Sequence, residues 1–139
     1  LDNNQISGQV PAAIGNLKEL KVLSISENKL TGTMPEELNE LTNLEELMLH
    51  KESGVSSYDG GSSTGPVGAG IRGPLPSFKD LKHLRTLILS ENSLTGEIPF
   101  DFLDGLSDKT KNIYVDISSN DLEGRVPASL TQFDKMSLY

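Results

Sequence analysis

Short runs in which apolar and polar positions alternate recur along the chain, and a fixed turn signature follows each of them. The runs are Leu23-Ser24-Ile25, Leu47-Met48-Leu49, Leu87-Ile88-Leu89 and Val115-Asp116-Ile117. Side chains of a β-strand alternate between its two faces, so the first and third residue of each run point to a core and the middle one points away. A strand this short cannot bury an apolar face alone and needs neighbours of the same kind. After Pro35 the pattern changes: Leu38, Leu41, Leu44 and Leu47 recur every third residue. That period is closer to a 3₁₀ turn than to an α-helix.

The turn signature occurs five times, as Ile6–Pro11, Leu30–Pro35, Ile71–Pro76, Leu94–Pro99 and Leu122–Pro127. Its prolines stand at positions 11, 35, 76, 99 and 127, which makes the successive spacings 24, 41, 23 and 28. One unit is therefore about 24 residues, and the second interval carries about 17 more. Self-similarity at this period predicts a solenoid, in which each unit completes its core only against its neighbours. Asn28, Asn92 and Asn120 follow three of the four strands, and Asn4 holds the same place in the first unit. A carboxamide donates and accepts, so it can satisfy backbone groups in the bend, each of which costs about 1–3 kcal/mol if buried unpaired. Glu52 stands in that place in the third unit, whose bend must be satisfied differently. Gly32, Gly96 and Gly124 allow backbone angles or close approaches that a Cβ would block, and the prolines end strand pairing.

The stretch LKVLSISENKLTGTMP, from Leu20 to Pro35, resembles the leucine-rich repeat family, and its LTGxIP extension resembles the plant-type subfamily. The resemblance covers the chain apart from the long interval. It implies an α/β repeat solenoid over 1–139, a right-handed coil of about five to six repeats. A concave parallel β-sheet would face convex 3₁₀ or short helical segments. It further implies a non-catalytic module that binds proteins, peptides or glycans, in a receptor-like, secreted or cell-surface protein, with an extracellular or secretory-pathway location. The other expectation is a structural or scaffolding subunit of a larger assembly. Both ends fall inside repeats, so an internal segment of a longer protein is expected, without capping units of its own. The segment from 99 to 115 is four residues longer than its counterpart from 35 to 47, room for a further helical turn, and is similar to algal repeats.

The outward strand positions form rows that predict the binding surface. Val22, Glu46, Thr86 and Tyr114 make one row, and Ser24, Met48, Ile88 and Asp116 the next. Ser26, His50, Ser90 and Ser118 make a third, and Glu27, Lys51, Glu91 and Ser119 a fourth. Met48, Ile88 and Tyr114 are the candidate apolar anchors, with Glu46, Glu91 and Asp116 as the acidic candidates. This mixture suits a protein or peptide partner better than a polyanion.

The long interval raises a competing reading. Gly68, Gly70 and Gly73 spell G-x-G-x-x-G, the dinucleotide-binding fingerprint. That motif must open a helix whose N-terminus meets a pyrophosphate, whereas Gly73 is followed by Pro-Leu-Pro and is itself the glycine of the repeat. Gly60 and Gly65 have the Walker A gap, but Pro66 stands where lysine is required. From His50 to Gly70, eleven of 21 residues are Gly or Ser, too few apolar side chains to offset the entropy of ordering. This 50–70 insertion is either slack in the chain or a loop that meets a partner through Tyr58 and Asp59.

Composition narrows the function classes. A net charge of -8 argues against nucleic acid, which needs clustered Lys and Arg, and against an anionic membrane surface. No apolar run approaches the roughly 18 residues of a membrane span. With no cysteine there is no disulfide framework or thiolate metal site. His50 and His83 fall on different parts of the unit, so neither a shared metal nor a Ser-His-Asp arrangement is expected, and no cofactor or catalytic residue is assigned.

Overall fold

The computed structural model describes residues 1–51, 70–109, 111–133 and 136–138. Among the described residues, ten short strands run in chain order: β1 (Ser7–Gly8), β2 (Val22–Ser24), β3 (Lys29–Leu30), β4 (Glu46–Met48), β5 (Arg72–Pro74), β6 (Thr86–Ile88), β7 (Ser93–Glu97), β8 (Ile113–Asp116), β9 (Asp121–Glu123) and β10 (Met136–Leu138). Five of them form one parallel sheet in the order β10-β8-β6-β4-β2. Its register joins Val22 to Glu46, Glu46 to Thr86 and Thr86 to Tyr114, and Ser24 to Met48, Ile88 and Asp116 in turn. The ladder continues one residue beyond the strands, where Ile25, Leu49 and Leu89 donate to the carbonyls of Met48, Ile88 and Asp116 at 3.0, 2.9 and 2.8 Å.

A second set of parallel strands is absent from the expectation of a single sheet. β1 pairs with β3, and β5, β7 and β9 form a three-stranded sheet. A bridge between Thr33 and Arg72 lies between the two. These strands are the turn signature itself. The proline does end the pairing, but the residues before it stack on their counterparts in the next unit and use the backbone groups left over by the first sheet. Gly8, Gly32, Gly73, Gly96 and Gly124 all have φ between 77° and 93°, so the glycine supplies a left-handed turn within this second ladder.

On the far side, 3₁₀ segments Ala12–Asn16, Glu36–Glu40 and Ala128–Gln132 each start after the proline of their unit. Those prolines have φ near -70° and ψ near 143°, an extended approach that proline favours. Leu38, Leu41, Leu44 and Leu47 are fully buried, as the three-residue period requires. The units that start at Pro76 and Pro99 carry hydrogen-bonded turns instead, so the room in the longer 99–115 segment is taken up by a local variation in turns and not by a helix. Its extra length is folded into turns that bury Phe102, Leu103 and Leu106. Phe102 meets Phe78 of the preceding unit edge-on, with ring centroids 6.2 Å apart. Phe78 and Leu103 have φ of 49° and 58°, which for bulky side chains costs roughly 1–2 kcal/mol each. Complete burial of either side chain, worth about 1.5–3 kcal/mol, offsets that strain.

Candidate functional site

The bend after each strand of the main sheet is fixed first, because it decides where the outward side chains stand. Asn28 Nδ2 donates to the carbonyls of Leu1, Ile25 and Ser26, and its Oδ1 accepts from the Ile6 N–H at 2.9 Å. Asn92 does the same for Leu49, Leu89, Ser90 and the Ile71 N–H, and Asn120 for Leu89, Ile117, Ser118 and the Leu94 N–H. Each carboxamide thus ties its own bend to that of the unit before. Asn4, in the first unit, donates to Leu1 and Asp2 at 3.2 and 2.8 Å. Immediately before these asparagines, Asn3, Glu27, Glu91 and Ser119 have φ of 52–58°. In the third unit, Glu52 lies outside the described residues. A cavity of about 10 Å³ lined by Ile25, Asn28, Leu30 and Asn92 lies at this bend.

Outward positions of the first two rows lie side by side as the register dictates, with strands about 4.8 Å apart. Met48 neighbours Ile88 across β4 and β6, and both are half-buried. In the other row Val22 stands at the edge strand and Tyr114 between Thr86 and Ser137, 49% and 40% exposed. Glu46 precedes Met48 by two residues on β4, and Asp116 is the register partner of Ile88 on β8. Across the sheet the apolar pair is therefore flanked by Asp116 beside Ile88 and by Ser24 beside Met48, and Glu46 lies along β4 in the adjacent row. Asp116 accepts from the Ser118 hydroxyl at 2.6 Å and from the Ser118 N–H at 3.1 Å, which holds its carboxylate in place.

The third row differs from its expectation as an outward face. Ser26 is only 2% exposed and Ser90 is also buried, so these positions form the floor of the sheet's end. The shortness of serine lets the left-handed residue behind it fold over. Among the described residues, the Ser26 hydroxyl and His50 Nδ1 are buried without a hydrogen-bond partner. Tyr58 and Asp59 lie outside the described residues. His50 follows β4, whereas His83 is exposed ahead of β6. Among the described residues, no group of three or more His, Cys, Asp or Glu is placed to hold a metal ion, and no helix is long and apolar enough to cross a membrane.

One polar group of this face escaped the sequence reading. Asp2 accepts the Ser24 hydroxyl on both oxygens at 2.6 Å and the Ser26 N–H at 2.7 Å. The Ser24 hydroxyl holds its carboxyl below the ordinary aspartate range against the opposing effect of desolvation, and the Ser26 amide adds a further, smaller lowering. The signal was available: Asp2 stands two residues before Asn4 as Ser26 stands two before Asn28.

Two stretches, residues 1–52 and 83–104, match the models of the leucine rich repeat. Together with the two parallel sheets and the asparagine ladder, this places the chain in the leucine-rich repeat family, of the plant type. Receptor-like protein 41 of Arabidopsis thaliana is 31% identical over 138 residues, covering 99% of this chain and 14% of that protein. The chain thus spans about one seventh of the length of that curated relative. Among solved structures, the plant peptide hormone receptor RGFR1 in complex with RGF2 superposes with a TM-score of 0.72 at 29% identity, over 97% of this chain and 20% of that one. A plant ice-binding protein superposes with a TM-score of 0.74 at 28% identity, over 96% of this chain and 37% of that one. Neighbours with one fold and such different ligands leave function to be argued from the surface.

Proposed function

We propose that the main sheet is a recognition face for an extended peptide or protein segment carrying an apolar side chain beside a basic one. The observation that carries this reading is the Met48–Ile88 pair with Asp116 next to Ile88 across the sheet and Glu46 in the adjacent row on the strand of Met48. An apolar anchor set down between the two strands would exclude water, and the carboxylates would meet a Lys or Arg through charge-assisted hydrogen bonds. Tyr114 offers an amphipathic rim, with a phenol that reaches polar groups and a ring that covers apolar ones. Glu91 lies one turn further on and adds to the acidic field. The same chemistry disfavours an array of small hydroxyls as the working surface, because charged and long apolar groups interrupt it. No residue of the face is assigned a catalytic role. The similarity to a receptor-like protein and to a peptide hormone receptor supports a place at the cell surface or outside the cell.

The reading is tested by panning a displayed library of random extended peptides against the intact protein. Enrichment of sequences that pair a basic with an apolar residue is expected, and it should disappear when Met48, Ile88 and Tyr114 are together changed to Asp. Enriched peptides that bind the triple variant equally well would refute the proposed face. Failure to enrich any peptide, with the protein recovered only in a stable assembly, would favour the scaffolding role instead.

A further inference from the structure

A second site lies away from the rows described above, where the chain turns into β6 and β8. A cavity of about 190 Å³ opens between the fourth and fifth units, lined among others by Lys82, His83, Arg85, Ser107, Asp108 and Lys111. Backbone hydrogen bonds fix its two rims to each other: the Ser107 N–H donates to the Lys82 carbonyl at 3.0 Å and the Tyr114 N–H to the Arg85 carbonyl at 2.9 Å. The elongated 99–115 segment supplies one rim, so the extra length creates a concavity that the regular units do not need.

Charge at this cavity runs against that of the molecule. In a chain of net charge -8, three permanent cations and a histidine line it with one carboxylate, Asp108. Asp108 pairs with Lys111 at 3.2 Å, and Glu45, outside the lining, approaches Arg85 at 4.0 Å. Among the described residues, Lys82 and His83 have no ion pair, which leaves a positive charge and a titratable ring uncompensated. The Ser107 hydroxyl and the Asn112 carboxamide also line the cavity without a hydrogen bond to any described residue. Cations with neutral donors around a fixed concavity are the elements of an oxyanion receptor, and the volume leaves room for bridging water.

We propose that this cavity is an oxyanion site, taking a carboxylate, sulfate or phosphate group. It is independent of the recognition face, since none of the lining residues belongs to the outward rows. Two sources of the anion are separated by two probes applied to the intact protein at low ionic strength: inorganic phosphate, followed by calorimetry, and a labelled tetraglutamate peptide, followed by anisotropy. At least one should bind, and binding should fall tenfold or more in Lys82→Gln/Lys111→Gln. A Lys18→Gln/Lys29→Gln variant removes the same charge from another stretch of the surface and should bind as the parent does. Phosphate binding alone identifies a free-anion site, and peptide binding that phosphate displaces identifies a carboxylate-bearing partner. All four lysines are exposed or paired only at the surface, so unfolding midpoints should stay unchanged across the series. Equal losses in both double variants, or no binding of either probe, would overturn the proposal.

Discussion

Asn92 reaches Leu49 across 43 residues of chain, its Nδ2 donating to the Leu49 carbonyl at 3.0 Å. The same side chain accepts from the Ile71 N–H at 3.0 Å, so one carboxamide closes the solenoid over the long interval. Asn92→Ala would leave one N–H donor and three carbonyl acceptors of a partly buried bend without the carboxamide that serves them, and about 1–3 kcal/mol is lost for each buried group left unpaired. Relaxation and water recover part of this, and a destabilisation of at least about 2 kcal/mol is expected in denaturant unfolding. Asn92→Asp keeps the acceptor but turns a carboxylate toward three carbonyls, and should be no better than alanine. A denaturation midpoint indistinguishable from the parent's, for either variant, would mean that the ladder is dispensable at this unit.

Gly105 and Gly96 separate two reasons for glycine. A Cβ on Gly105 would lie 1.8 Å from the Lys79 carbonyl oxygen, whereas one on Gly96 meets nothing within 4 Å. Gly96 has instead a φ of 79°, which costs a side chain roughly 1–2 kcal/mol of backbone strain. Gly105→Ala is therefore expected to destabilise by more than about 3 kcal/mol, since the Phe102–Leu106 turn must move off the preceding unit. Gly96→Ala should cost about half as much. Equal thermal shifts for the two variants would show that the close approach at Gly105 relaxes freely.

Most of the fold could be read from the chain because the repeat writes each constraint several times. Leu47 and Leu87 are strand residues by alternation, and Leu38, Leu41 and Leu44 reveal the three-residue turn by period alone. The second sheet was harder to see because a strand such as Lys29–Leu30 is too short to alternate, and Gly32 and Pro35 read as punctuation. Yet a backbone that repeats its conformation from unit to unit and stacks must pair wherever it is extended, and this could have been inferred from recurrence. The turns after Pro76 and Pro99 were not legible in advance, because nothing in their composition announces the left-handed residues Phe78 and Leu103. For the candidate site, register fixed the neighbours of Met48 and Ile88, but burial of Ser26 depends on the fold of the bend behind it. The rims at Lys82 and Lys111 come from different units, and only stacking of those units brings them to one cavity.

Protonation of Asp2 gives a pH dependence with a definite sign. Its folded carboxyl is held below the ordinary range by the Ser24 hydroxyl and the Ser26 amide, so the bonds stabilise the folded chain above the unfolded value, near 4. The contribution is lost as pH falls through the depressed folded value. Exposure and solvent screening keep it small, roughly 0–1 kcal/mol. Asp2→Asn should therefore lower the unfolding midpoint slightly at neutral pH, with the difference shrinking as pH falls below about 4 toward the depressed folded value. A variant effect that grows on acidification would contradict the assigned direction.

Single changes on the recognition face should separate binding from folding. Ile88→Asp sets a third carboxylate beside Glu46 and Asp116 and removes an apolar anchor, and a hot-spot loss of about 2 kcal/mol corresponds to roughly thirtyfold in affinity for an enriched peptide. Tyr114→Asp, at an exposed position, should weaken the same peptide with little change in stability. Thr86→Ala, in the row of Tyr114 and on the strand of Ile88, serves as the near-neutral control. Comparable losses for all three would mean that the face responds to general disturbance and not to particular contacts.

Lys51 and Gly70 lie next to each other, since a Cβ on Gly70 would sit 3.7 Å from Lys51 Cδ. The solenoid is therefore left at Lys51 and re-entered at Gly70 at nearly the same point. Deleting the segment 53–69 brings the spacing from Pro35 to Pro76 down from 41 to 24, the period of the regular unit. Leu49 and Ile71 would keep their places in the core, and Asn92 would keep its bonds to both. Closing a loop costs about 0.6 kcal/mol per doubling of its length, so the shortened chain should unfold at the same temperature or a few degrees higher. Loss of folding would show that the insertion supports the third unit. With folding retained, the peptide affinity of the shortened chain tests Tyr58 and Asp59. A tenfold loss reproduced by Tyr58→Ala makes the insertion part of the recognition face, and an unchanged affinity makes it slack.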